Sequence, residues 1–330
     1  MRKKFLFKFI RFVTPMVLLI LFIEQQYRSI PNDYTYKSEY LQNQGGQIEV
    51  LALGGSHNYR GIDPDLFDKK GFNAAMVSQS INIDYFILKK YKDQLTNLQY
   101  VIIPISYPTL TTTMEESRES WRKYRYIHYM GYDELTLKDM FSINRYLAIS
   151  QETGISIIKN LYRYWFHGRN FRDCQPNGWG KSGSYTPQNL EYLAKEAAQR
   201  HEDHSFDMSE NMKYLNGLIR LSREGNYKLL LITTPATKYY TESLNDKKWS
   251  MIMHTCDSIA KNHAHVKYFN LLYDSTFTDS LFLDGDHLNS EGAQLLTRKL
   301  NEKIDLFSWQ VVTGDSSIQT SKQHKLGSPN

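Results

Sequence analysis

The chain has 330 residues, of which 41% are hydrophobic and 14% aromatic, so it can bury a large core and is not disordered as a whole. Its formal net charge is +5, and Arg2, Lys3, Lys4, Lys8 and Arg11 account for all of it. The remainder is balanced, which leaves no basic surface for nucleic acid and points to one main globular domain.

Those five charges flank and enter an apolar stretch from Phe5 to Ile23, interrupted between Phe12 and Ile23 only by Thr14 and Pro15. A spanning helix needs about 20 mostly apolar residues, and Lys8 can snorkel from the near end, so the stretch just qualifies. A cleaved secretory signal would end in small residues, whereas Ile23-Glu24-Gln25-Gln26-Tyr27-Arg28 is bulky and charged. Residues 1–28 are therefore read as an uncleaved signal anchor, ahead of a cleaved signal or a buried core helix. The basic residues precede the span, which keeps the N-terminus cytoplasmic and sends the domain outside, to the periplasm or cell surface.

Residues 29–46 are polar and tyrosine-rich without sustained periodicity, and read as a stalk. The domain proper is expected over 47–308. Ile48 to Leu53 is a short apolar run ended by Gly54-Gly55, as in a buried parallel strand feeding a turn. Tyr100 to Ile105, Lys228 to Thr233 and Val266 to Phe269 repeat the pattern. The segments between them are long enough for helices. Thr186-Pro187 opens one over Gln188 to Arg200, Ser209 caps another that ends near Gly225-Asn226, and the last follows Asn289-Ser290 with Leu295, Leu296, Leu300 and Ile304 on one face. Strands alternating with helices predict an α/β fold, a three-layer sandwich around a central parallel sheet. Residues 109 to about 184 fit this alternation poorly and are aromatic-rich, with Trp121, Tyr124, Tyr126, Tyr129, Tyr132, Tyr162, Tyr164, Trp165 and Trp179. They read as an insertion or lid whose aromatics fill core or stack on sugar rings. Residues 309–330 are polar and read as a disordered tail. Cys174 and Cys256 could be bonded or free, and nothing around either favours catalysis.

Ser56 stands where Leu51-Ala52-Leu53-Gly54-Gly55 stops being strand-like. Two glycines permit a tight turn that would lift its hydroxyl above the strand end, where open α/β sheets bind ligands, and its own amide could serve an oxyanion. The partners come from Asp284-Gly285-Asp286-His287-Leu288-Asn289. Residues three apart in a loop or first helical turn lie on one side, so Asp284 could orient His287 while the other ring nitrogen faces Ser56. Adjacent side chains diverge, which makes Asp286 the less suitable carboxylate. A loop capping the last helix, or a cation site, is the structural alternative.

This pairing resembles the SGNH, or GDSL-like, hydrolase superfamily over roughly residues 47 to 307: a serine just after the first strand, and Asp-x-x-His before the C-terminal helix. It is most similar to membrane-anchored bacterial relatives whose first block reads Gly-Ser-Ser-His or similar, here Gly54-Gly55-Ser56-His57 followed by Gly61-Ile62-Asp63-Pro64. Several of those add or remove acyl groups on cell-envelope or exported polysaccharides. The resemblance implies a flavodoxin-like sandwich, a Ser56-His287-Asp284 triad and no cofactor or metal. The family's Gly-Asp-Ser aspartate is Gly55 here. Its second-block glycine, which lends an amide to the oxyanion hole, has its nearest match in Asn73 to Ser80, with Ser78 or Gln79 as donor. Its third-block asparagine is missing after Ile105, where Ser106-Tyr107-Pro108 follows, and Ser106 is the candidate substitute.

The expected function is a serine esterase or acyltransferase acting on small acyl esters, acetyl above all, of envelope or exported glycans. Its partner would be an acylated carbohydrate or other small acyl ester, besides the membrane that holds its N-terminal helix. The alternatives are a non-catalytic glycan-binding or assembly scaffold, and a metal-dependent phosphoesterase using Asp284, Asp286, His287 and His57. His57 could contact an acceptor or anionic substrate, or pack in the turn. His201 and His204 read as an exposed helix end, and Asp84, Lys89 and Lys90 as surface charges. No P-loop or dinucleotide fingerprint occurs.

Overall fold

Five short strands form one sheet: β1 Val50–Ala52, β2 Gly71–Asn73, β3 Tyr100–Pro104, β4 Lys228–Thr233 and β5 Val266–Asn270. They were located in a computed structural model that describes residues 2–184 and 186–320, and the side chains of 3–184 and 186–307. The strand order is β2-β1-β3-β4-β5 with every pair parallel, Leu51 lying opposite both Phe72 and Val101. β2 was not expected, because Gly71-Phe72-Asn73 is too short and too polar to announce itself as a strand. In chain order the helices are α1 Arg2–Arg28, α2 Asp33–Gln44, α3 Ser56–Gly61, α4 Ile81–Tyr91, α5 Lys123–Met130, α6 Leu137–Met140, α7 Gly154–His167, α8 Leu190–His201, α9 Ser209–Glu224, α10 Lys238–Thr241, α11 Asp246–Asn262 and α12 Ser290–Thr320. α8 begins three residues past Pro187, later than the proline suggested.

Alternation along the strands makes two cores. Leu51, Val101, Ile103, Leu229 and Leu231 face one side, against Leu41 of α2, Ile83 and Ile87 of α4, Leu215 and Leu218 of α9 and Ile252 of α11. Val50, Ala52, Ile102, Leu230 and Ile232 face the other, against Leu296, Leu300 and Ile304 of α12. Both faces are apolar because parallel strands need crossover helices that cover both. The result is a three-layer α/β sandwich with one N-terminal helix.

α1 is long and apolar enough to cross a membrane over Lys3–Arg28, and its side chains from Phe5 to Phe22 lie largely bare. Residues 29–46 are not a stalk. Asn32 accepts hydrogen bonds from the amides of Tyr34 and Thr35 while the Thr35 hydroxyl accepts from the Asn32 amide, a capping box that starts α2. Tyr34, Lys37 and Leu41, spaced as one helix face, are buried. The lysine disguised that stripe in the sequence. Its Nζ donates to the Ala75 carbonyl, and burial lowers Lys37 to about 8.

The insertion holds α5 to α7, and its aromatics divide. Tyr124, Tyr126, Tyr132 and Trp179 are buried, whereas Trp121, Tyr162 and Trp165 are exposed. The expected disordered tail is helical over 309–320, since α12 runs on to Thr320 through a stretch without proline; residues 321–330 lie outside those described. Cys174 and Cys256 are both free and buried, and burial pushes each thiol up to about 12. Because α2 belongs to the core, Leu41→Ala should lower unfolding free energy by about 2–5 kcal/mol in chemical denaturation, whereas a stalk residue would leave it unchanged.

Candidate active site

β1 sits between β2 and β3, and the chain passes from β1 first to one neighbour and then to the other. That reversal opens a crevice at the strands' carboxyl ends. The turn into it is made by Gly54, at φ +101, where an added Cβ would lie 2.2 Å from the Pro104 ring. No other residue fits there. The Gly54 amide donates to Asp84 Oδ1 (2.7 Å), the Gln79 side-chain amide donates to the same oxygen (2.6 Å), and the Tyr126 hydroxyl donates to Gln79 Oε1 (2.9 Å). Asp84 is therefore an internal brace, not the surface charge expected of it. Burial raises it to about 7 against the pull of those two hydrogen bonds. Gly55 then caps α3 without a side-chain bond, and the amide of Ser56, its first residue, has no protein acceptor among the described residues.

The second half of the site is a hairpin. Phe282 and Leu288 pair antiparallel, and the Leu283 amide donates to the His287 carbonyl, so residues 283–287 form a tight loop. α8 presses on it: an added Cβ at Gly285 would stand 2.3 Å from Ala194 Cα. Thr237 holds the Gly285 carbonyl through its amide (3.0 Å) and hydroxyl (2.8 Å). Asn289 closes the loop by accepting from the Glu291 and Gly292 amides at the start of α12.

The two halves meet. His287 Nε2 lies 2.7 Å from Ser56 Oγ, and His287 Nδ1 lies 2.9 and 3.0 Å from the two oxygens of Asp284. Asp284 Oδ1 also accepts the amides of Asp286 and His287, which fixes the carboxylate within its own loop. Asp286 does not diverge as expected. Its Oδ1 lies 3.3 Å from His287 Nδ1, while Oδ2 accepts from His57 Nε2 (2.9 Å) and lies 3.5 Å from His201 Nδ1. The rings of His57 and His287 are nearly parallel, 4.9 Å apart. Burial works against ionisation of Asp286, but the His287 and His201 charges and the His287 and His57 hydrogen bonds hold it well below the usual carboxylate range. Burial likewise opposes a charged His287, yet Asp286 and Asp284 together raise it to about 10. His201 is depressed to about 4, chiefly by burial.

His201, read from sequence as exposed, is half-buried with its Nδ1 2.7 Å from the Tyr240 hydroxyl. His204 is at the surface, 3.7 Å from Glu202, so the two histidines do not converge. Gln79 is committed, its amide to Met76 and its side chain to Asp84. Ser78 is not committed in this way: it adopts φ +57, a conformation that favours glycine, and its amide has no protein acceptor among the described residues. Ser106 is tied to Thr109, which meets both its amide (2.9 Å) and its hydroxyl (2.8 Å). His57, Asp286 and His287 offer ligand atoms within 4.8 Å of one another. Both nitrogens of His287 are already engaged, so a cation there would have to displace Ser56 or Asp284 from it.

A serine hydroxyl facing an imidazole that is backed by carboxylates can attack an acyl carbonyl, with the ring taking and returning the proton. The turn that presents the serine depends on Asp84. Asp84→Ala would leave the buried Gly54 amide unpaired and should cost about 1–3 kcal/mol of stability by denaturant titration, with slower labelling of Ser56 by a fluorophosphonate.

No protein-family model matches the chain, and no curated protein matches it. Among solved structures it is similar to one described as "a putative platelet activating factor from Streptococcus pneumonia", at 11% sequence identity, over 88% of this chain and 97% of that one, with a TM-score of 0.40.

Proposed function

We propose that this chain is a serine esterase or acyltransferase of the SGNH kind, acting on small acyl esters, acetyl foremost, of cell-envelope or exported glycans. The observation that carries the reading is the 2.7 Å approach of His287 Nε2 to Ser56 Oγ, with Asp284 bonded behind the ring. Ser56 attacks the acyl carbon, His287 accepts its proton and returns it to the leaving alcohol, and the Ser56 and Ser78 amides receive the oxyanion. The acyl-enzyme is then resolved by water, giving an esterase, or by a sugar hydroxyl, giving a transferase. The glycan as substrate rests on the sequence resemblance in the first and last blocks.

Ser56→Ala should abolish fluorophosphonate labelling and reduce kcat on an activated acetyl ester by at least about 10⁴-fold while leaving circular dichroism unchanged. Undiminished labelling of the variant would sink the assignment. A glycan-binding scaffold is the second reading, favoured by the engagement of Ser106 with Thr109, which leaves the third-block donor unfilled. Glycan affinity equal in parent and Ser56→Ala proteins, with no ester turnover in the parent, would establish it.

Histidine acts as a base only when neutral, and the flanking carboxylates stabilise its charged form, raising it to about 10. kcat/KM should therefore climb through the alkaline range instead of levelling near the ordinary imidazole value of about 6.5. Asp286→Asn removes one of those charges, so the same profile, measured on the activated ester, should shift to lower pH.

A further inference from the structure

α7 carries one broad apolar arc, with Ser156, Lys159, Asn160, Arg163 and His167 on its remaining side. Its inner side, Ile157, Leu161 and Tyr164, packs with Tyr27, Ile30 and Phe171. Its outer side carries Ile155, Ile158, Tyr162, Trp165 and Phe166, spaced along one helix face and exposed, Ile155 by 81%. An apolar arc this wide is ordinarily covered across its whole width, yet here only the inner part is. The segment from α6 onward adds more of the same: Leu137, Met140, Phe141, Ile143 and Tyr146 are exposed, Phe141 by 89%. Clustered apolar exposure on this scale marks a contact surface.

Both segments are fastened to the last turn of α1. The Glu24 carboxylate accepts the amides of Ala148 (2.8 Å) and Ile149 (3.1 Å) and pairs with Arg28, whose guanidinium donates to the Tyr146 carbonyl (2.7 Å). The Trp165 indole donates to Gln26 Oε1 (3.3 Å). At 1.5 Å per residue, Gln26 stands roughly 4.5 Å beyond Ile23, where the apolar run ends. The headgroup layer on each side of a bilayer is about 5–8 Å deep, so a span ending at Ile23 puts the Trp165 contact within it.

We propose that the outer face of α7, together with residues 137–146, lies in the lipid headgroup layer beside α1 and docks the domain flat on the bilayer. The chemistry fits that occupant. Tryptophan and tyrosine mixed with aliphatic side chains suit the boundary between hydrocarbon and water, whereas Ile155, Ile158, Leu137 and Met140 offer no platform for a sugar. Lys138, Arg145, Lys159, Arg163 and Arg169 belong to the same segments, and the acids within 137–169, Asp139 and Glu152, are paired with Lys123 and Arg125. That leaves a basic surplus suited to anionic headgroups. The inference is independent of the chemistry at Ser56 and rests on α1 being embedded.

The test uses the full chain reconstituted in vesicles of zwitterionic and anionic phospholipids carrying a nitroxide at the headgroup or along the acyl chain. Single cysteines are introduced as Phe141→Cys, Ile158→Cys, Leu18→Cys and, as a control, Tyr273→Cys, and labelled with a fluorophore; the native thiols are buried. The expected result is loss of emission at 141 and 158 with the headgroup quencher, loss at 18 with the acyl-chain quencher, and none at 273. Quenching at 18 with 141 and 158 as bright as 273 would overturn the docking face while leaving the anchor intact. Absence of quenching at 18 as well would overturn both. Unquenched 158 probes, together with disulfide cross-linking between copies of the unlabelled Ile158→Cys protein, would overturn the lipid docking and assign the face to self-association instead.

Discussion

A buried carboxylate ties the candidate site together. Asp286 is almost wholly removed from water, and a charge so placed persists only where other groups replace its hydration. Three imidazoles surround it here: His57, from the turn after β1, is hydrogen-bonded to it at 2.9 Å, while His287 within its own loop and His201 from the end of α8 lie at 3.3 and 3.5 Å. Each belongs to a different element, so ionisation of one side chain fixes three pieces of backbone relative to one another. His57 is the residue after Ser56, and its bond to Asp286 therefore sets where the serine stands with respect to the loop that carries His287.

That arrangement also separates the tasks of the two aspartates. Asp284 accepts two amides of its own loop and is partly exposed, so it can align His287 without a large desolvation burden. Asp286 gives up water almost entirely and supplies charge. Together they favour the imidazolium, which in the proposed reaction would stabilise the positive charge that His287 gains from Ser56. The cost falls on the resting base, because a ring so well compensated releases its proton reluctantly. Asp84 performs a quieter role beneath the same turn, where its carboxylate takes the amide that Gly54 cannot offer to the sheet.

Much of this was legible from the chain alone. Short apolar runs marked four of the five strands, the first of them ended by Gly54-Gly55. Ser56 stood out at the end of that run, and Asp284 and His287 as a carboxylate and an imidazole three apart just before the last helix. What was hidden has one physical character. Asp84 read as a surface charge, His201 as an exposed helix end, Asp286 as the less suitable carboxylate and Lys37 as part of a polar stalk, since nothing in a sequence records that a polar side chain will be desolvated by elements far away in the chain. Asp84 is enclosed by Gln79 and the Gly54 turn, Lys37 by the Ala75 carbonyl and the Tyr59 ring. The same cause concealed α2, whose apolar stripe has a lysine in its middle. β2 escaped for a different reason, as three residues are too few to show a period.

The insertion shows how far position alters the meaning of composition. Its aromatics looked like one population, yet Tyr126 serves the brace under Gly54 through Gln79, whereas Trp165 reaches the end of α1. A cavity of about 630 Å³ lies between these extremes, with Tyr27 of α1, Trp121 and Arg122 of the insertion, and Met76 and Val77, which adjoin Ser78, in its wall. An anchor joined to its domain by a loose stalk would leave the site free to tumble above the bilayer. Glu24, Gln26, Tyr27 and Arg28 instead bond or pack into the insertion, and α2 follows into the core after four residues, so little freedom remains between α1 and the sheet. The serine turn is thereby held at a set height and tilt relative to α1, and a substrate would have to be presented within reach of that plane.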